Sequence, residues 1–335
     1  MESPIMKKPF AMRIAGIALI VSCAFVSVAF AEQALRKYRP LWSLAGKLTV
    51  AASGTLDEEL SGFADSFQHI YRGVEVAVVK TGSAAAPSAL LNGTAQIGAL
   101  PRLMTREESV AIEKKYGAPP VAFLVGLDAL TIFVHPQNAI HCLSLSQLDH
   151  IFSANRLIGE GRAIATWGEL GLNGDWRDRA IVAYGRRAGS TTAEFFRNAV
   201  LGGDVLRPMM KSADSGRAVV TEVAKDKFAL GYSSIGFLNE NVRAVPVTAT
   251  SDEECVAPDA ENVARGRYPL TRSLYLYLLR TPDEHLNAVG AEFIRYILSR
   301  DGQLTLLETG FTPIGRDVQD MNMRKLKSFR SGRSL

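Results

Sequence analysis

Little in this sequence speaks for redox, metal or nucleotide chemistry. Its 335 residues include three cysteines and five histidines. His69, His135, His141, His150 and His285 form no H-x-H or H-E-x-x-H pattern, and three of them stand six and nine residues apart, which is not ligand spacing for zinc. No P-loop and no G-x-G-x-x-G fingerprint occurs. Gly231-Tyr232-Ser233-Ser234-Ile235-Gly236 is one residue too long for a G-x-S-x-G nucleophile elbow and carries no evident base. Asp252, Glu253 and Glu254 fall in a polar stretch and read as solvated charge. No catalytic residue, metal site or cofactor is therefore expected. Internal repeats and low-complexity tracts are lacking too, so the chain reads as globular and long enough for two domains.

Charge of one sign is also scarce. The formal net charge is +4, but residues 1–31 hold three basic side chains against one acidic, and the stretch from Arg316 onward holds six against two. The body between is thus about −2, mildly acidic rather than basic, which argues against nucleic acid as a partner. The stretch from Met321 to Leu335 is polar, basic and serine-containing, and residues 316–335 are expected to be a disordered tail.

The start of the chain reads as a secretory signal. Lys7, Lys8 and Arg13 precede an apolar run from Ile14 to Phe30, and Ala29-Phe30-Ala31 offers a small-x-small cleavage site before Glu32. Ile20-Val21-Ser22-Cys23 resembles a lipoprotein box, but the residues after it stay apolar instead of forming a polar tether, so cleavage after Ala31 and a periplasmic location are expected. Cys23 then leaves with the signal. Cys142 and Cys255 remain, and a disulfide and two isolated thiols both stay open.

In the mature chain, apolar strands alternate with helical periodicity. After a lead-in over 32–46, strands are expected at Lys47–Ala52, Val74–Lys80, Gln96–Leu100, Val121–Val125, Leu130–Val134, Ala180–Ala183, Ala229–Ser233, Val242–Val247 and Ser273–Leu279. Helices are expected after Thr55, after Ser83, and at Thr105–Tyr116, Leu143–Phe152, Phe195–Val200, Arg217–Ala224, Leu286–Leu298 and Gln303–Leu307. This is α/β patterning with mainly parallel sheets.

Three strand-to-helix loops share one design of hydroxyl and glycine residues: Ser53-Gly54-Thr55, Gly82-Ser83, and Arg186 to Thr192. Each would place Ser or Thr at a helix N-terminus, where unpaired N–H groups and the helix dipole favour an anion. Ordinary N-caps would look the same singly. Ligands in open α/β sheets lie at the carboxyl ends of strands, so three such loops can converge on one oxyanion. The third also carries Arg186 and Arg187.

The stretch Gly185-Arg186-Arg187-Ala188-Gly189-Ser190-Thr191-Thr192-Ala193-Glu194-Phe195-Phe196 is similar to the R-x-[SD]-G-[ST]-x-T-x-x-F loop of the periplasmic phosphate-binding proteins of ABC transporters. Gly82-Ser83, Ile97-Gly98-Ala99, Ser146 to Phe152, Leu230-Gly231-Tyr232, Tyr268 to Arg272 and Gly310 to Ile314 match the same family in order, from about Lys47 to Pro313. The resemblance implies a type II periplasmic binding-protein fold: residues 47–128 plus 272–315 as lobe I and 129–271 as lobe II, with the ligand in the cleft between them. It implies phosphate, or a related oxyanion, held by Thr55, the Leu56 N–H and Ser83 from one lobe. Arg186, Ser190, Thr191 through its N–H, and Thr192 would bind from the other. It also implies a monomer delivering its ligand to an inner-membrane ABC permease. The chain departs from the pattern at two places. Leu100, Pro101 and Arg102 stand where an acidic or hydroxyl residue is common, and Ala188 replaces an oxygen-bearing residue. A ligand-poor sensor or scaffold, and a phosphate-ester hydrolase with the same cradle, are the alternative readings.

Overall fold

The computed structural model describes residues 35–40, 43–52, 56–80, 85–156, 161–250, 253–280 and 286–330. The expected signal, its cleavage site, Thr55 and Ser83 lie outside these residues. Eleven strands are described: β1 (Ala45–Ala52), β2 (Gly73–Lys80), β3 (Ile97–Leu100), β4 (Val121–Val134), β5 (Leu143–Ser144), β6 (Val182–Arg186), β7 (Lys211–Ala213), β8 (Ala229–Ser234), β9 (Arg243–Val245), β10 (Val247–Thr248) and β11 (Thr271–Leu278). The helices are α1 (Asp57–Ile70), α2 (Ala85–Asn92), α3 (Arg106–Tyr116), α4 (Leu145–Phe152), α5 (Thr191–Val200), α6 (Gly216–Lys225), α7 (Ala260–Ala264), α8 (Ala288–Ile297), α9 (Arg300–Glu308) and α10 (Arg316–Arg330). None is long and apolar enough to cross a membrane.

Among the described residues, nine strands form one sheet in the order β2-β1-β3-β11-β4-β8-β6-β7, with β9 also on β4. β1 pairs in parallel with β2 and β3, and β6 with β7 and β8. Between these two parallel blocks run β11 and β4, antiparallel to each other and to their outer neighbours. The apolar cores divide the same way. One set of buried clusters draws on residues 48–125 and 274–326, the other on 129–270.

The structure corrects the sequence reading of Gly126-Leu127-Asp128 as a break. β4 runs unbroken for 14 residues, pairing with β11 over Val121–Ala129 and with β8 over Leu130–Val134. Its register against β11 shifts at Leu274/Tyr275, where Val125 has no opposite residue. The Val125 carbonyl accepts instead from Gln303 Nε2 at 2.9 Å. Gly126 has a packing reason, since a Cβ there would come within 2.4 Å of Leu306 Cδ2 on α9.

The expected disordered tail is a second correction. Residues 316–330 form α10, whose Val318, Met323, Leu326 and Phe329 join the first core. The first half of β4 has β11 on one side, and its other edge needs hydrogen-bond partners. Asn322 Nδ2 donates to the Leu124 carbonyl at 2.8 Å, and Lys325 Nζ to that of Ala122 at 2.7 Å. Farther along, Leu127 and Thr312 exchange backbone bonds. Charge counting missed this helix because two of its inward positions, Gln319 and Asn322, are polar. The lead-in is likewise docked. The Tyr38 and Tyr71 hydroxyls both donate to the buried carboxylate of Glu292, which Arg295 also binds. The Arg36 N–H donates to Gln319 of α10.

Cys142 and Cys255 are joined in a disulfide across 113 residues of sequence. The two cysteines flank the small parallel pair β5–β10, which the bridge ties together. Two outcomes follow. Reduction, or the double Cys142→Ala/Cys255→Ala variant, should lower unfolding free energy by about 2–5 kcal/mol, because an open loop of this length regains chain entropy; denaturant titration with and without reductant measures it. Truncation after Gly315 should lower it by roughly 3 kcal/mol or more, since two β4 carbonyls lose their donors and the core surface that Leu326 covers is exposed; a thermal melt matching that of the full chain would contradict this.

Candidate anion-binding site

β6 extends farther than its apolar residues suggested: Tyr184, Gly185 and Arg186, expected in a loop, continue the ladder opposite Lys211, Ser212 and Ala213. Gly185 allows this, since a Cβ there would lie 2.6 Å from Tyr232 Cε1 and 2.8 Å from Met210 Sδ. Past Arg186 the chain turns through Gly189, whose φ of +79° suits glycine. It enters α5 at Ser190, an N-cap whose Oγ accepts from the Ala193 N–H at 3.1 Å. The cap reading of Ser190 is therefore correct and leaves its anion role open, because the hydroxyl's own hydrogen has no acceptor among the described residues. The orientation of α5 is set from below. Phe196 stacks on Tyr232 with ring centroids 3.8 Å apart, and Phe152 meets both rings edge-on.

The two arginines separate. Arg187 is solvent-facing, 4.0 Å from the exposed Asp214. Arg186 is only 8% exposed, and its guanidinium has no hydrogen bond or ion pair to a described residue. Its pKa is lowered, first by burial, then by the neighbouring charge of Arg187, with Arg272 adding to it. A buried cation with no protein counter-ion is unfavourable unless something negative joins it.

Sequence reasoning missed what stands beside it. Asp128 of β4 and Arg272 of β11 face each other in the ladder and form a buried ion pair, with Arg272 Nε and one terminal nitrogen 2.8 and 2.7 Å from Asp128 Oδ2. Ser234 Oγ donates to Asp128 Oδ1 at 2.7 Å. Both terminal nitrogens of Arg272 reach Thr192 Oγ1 at 3.3 Å, and the guanidinium lies over the Phe195 ring. A signal was available: a carboxylate inside the apolar run Val121–Val134 requires a buried partner.

Ser190, Thr191 and Thr192 are thus all buried at the first turn of α5, beside Arg186. Leu56 occupies the N-cap position of α1, its side chain in the first core. Arg102 is turned away from anion binding by a bidentate bond to Glu108, at 2.8 Å to each oxygen. The resulting cluster offers a guanidinium, hydroxyls and helix N–H groups, which together complement a compact oxyanion.

A model of the PBP superfamily domain matches residues 42–301. The phosphate-binding protein PstS of Pseudomonas aeruginosa is 34% identical over 300 residues, 90% of this chain and 93% of its own. Among solved structures, an ABC-type phosphate transport receptor from Vibrio cholerae superposes with a TM-score of 0.62 at 23% identity, over 79% of this chain and 99% of that one. A substrate-binding protein from Clostridium perfringens with bound phosphate superposes with a TM-score of 0.67 at 24% identity, over 80% and 100%.

Ser190 caps α5, and an additional role in oxyanion binding separates from the cap experimentally. Ser190→Gly should lose only a few tenths of a kcal/mol of stability, whereas Ser190→Ala should lose about 1 kcal/mol. Both should weaken oxyanion binding alike, as read by thermal melting and by titration calorimetry.

Proposed function

The chain belongs to the PBP superfamily, in the family of phosphate-binding proteins, and we propose that it is the exported solute-binding component of a phosphate ABC transporter. It captures inorganic phosphate between two lobes and delivers it to an inner-membrane permease, without chemical turnover. Residues 47–128 with 272–330 make one lobe, α10 included because it packs in that core, and 129–271 make the other. Cleavage after Ala31 releases the mature protein to the periplasm, where it works as a monomer.

The observation that carries this reading is Arg186, a buried guanidinium at the N-terminus of α5 that forms no ion pair with any described residue. A bound oxyanion supplies the missing negative charge. The donors proposed to join it are otherwise neutral: Ser190, the Thr191 N–H and Thr192 from this lobe and, as the family resemblance implies, Thr55, the Leu56 N–H and Ser83 from the other. Neutral donors satisfy a buried anion without adding further charges to be desolvated. Family membership supports phosphate as that anion, and it disfavours both the ester-hydrolase and the ligand-poor scaffold readings.

The mature protein titrated with phosphate should give one saturable exotherm, and phosphate should raise its melting midpoint, since a ligand of the folded state alone stabilises it. Arg186→Ala should weaken binding by about 10- to 100-fold, the worth of one charge-assisted hydrogen-bond pair. Wild-type protein that shows neither heat nor a shifted midpoint with phosphate would end this reading.

A further inference from the structure

We infer that Arg272, held by Asp128, is a positioning residue for the phosphate site: it orients and polarises Thr192 and ties the binding jaw to the strands that join the lobes. The inference rests on the function proposed above. Its starting point is location. β11 and β4 are the two strands that lie between the parallel blocks and link them, and Asp128 and Arg272 are direct cross-strand partners on them. Two residues beyond Asp128, at Leu130, β4 takes on β8 as a partner, and that first pairing is with Ser234. The same Ser234 donates to Asp128. The ion pair therefore sits where pairing passes from the first block to the second.

A buried ion pair must find acceptors for its remaining donors, and here it finds one on the helix that carries the proposed site. Here the guanidinium fork straddles the Thr192 hydroxyl oxygen, with both terminal nitrogens at 3.3 Å. The Phe195 ring lies under its face, 5.6 Å from the guanidinium carbon. Thr192 and Phe195 both belong to the start of α5, so Arg272 grips the helix end that carries the anion donors. A hydroxyl that accepts from a cation becomes a stronger donor, because bonds in a chain polarise one another. Only a planar fork can hold both contacts while its Nε bonds a carboxylate, and a lysine ammonium cannot reproduce that geometry.

A double-mutant cycle on phosphate affinity tests this, with circular dichroism to check folding. Arg272→Lys and Thr192→Val should each raise the phosphate Kd by about tenfold, and the double variant should be no weaker than either alone, because one acts through the other. Losses that multiply, or an Arg272→Lys affinity within about twofold of wild type, would overturn the inference. Should Arg272→Lys fail to fold, Ser234→Ala decides, since it loosens Asp128 while keeping both charges. It should weaken phosphate about threefold in the wild-type background and not at all beside Thr192→Val, and an unchanged affinity in the wild-type background would refute the coupling. Failure of the wild type itself to bind phosphate would instead strike the proposed function, so the two failures are distinguishable.

Discussion

The buried pair of Asp128 and Arg272 is the interaction on which the rest of this structure depends. It lies between the two strands that make one sheet of two parallel blocks, and nearly all its surface is removed from water. A pair so placed contributes little net stability unless its remaining donors and acceptors are also met. Here Ser234 meets the carboxylate and Thr192 the guanidinium, each from a different element of the second block. The cost of burying two charges is thereby turned into a fixed relation between the connecting strands and the start of α5.

Against that neutralised pair, the guanidinium of Arg186 is the opposite case. It is buried and forms no ion pair with a described residue. The family commonly places an oxygen in this loop, and here Ala188 stands at that position. Both oxygens of Asp128 already accept hydrogen bonds, so the carboxylate is held by Arg272 and Ser234. With Arg272 paired and Arg186 in no ion pair with a described residue, the start of α5 carries local positive charge. The aromatic stack of Phe152, Phe196 and Tyr232 keeps that charge in place by fixing the helix from beneath.

The same continuous strand explains the C-terminal helix. A strand long enough to serve both blocks has a stretch that neither block covers on one side. Side chains of Gln303, Asn322 and Lys325 supply the donors a neighbouring strand would have given. The site and the C-terminus are thus linked through β4, at its second and first halves.

Local pattern determined a good deal of this. Apolar alternation and helical spacing located most elements, though not β5, β7, α7 or α10, and the hydroxyl-bearing turn before Phe195 and Phe196 identified α5 and the residues at its N-terminus. These features are local, set by side-chain period and cap chemistry within a few residues. The motifs in order added the family. What the chain could not reveal by itself were relations between distant residues. Asp128 and Arg272 are 144 positions apart, and Cys142 pairs with Cys255 for reasons no spacing states. Gln319 and Asn322 read as solvent-facing until their carbonyl partners are in place. For the ion pair and the two amides a polar group is buried, and only the tertiary structure decides where a buried polar group finds the partner that makes its burial tolerable; for the cysteines it decides which distant thiols meet.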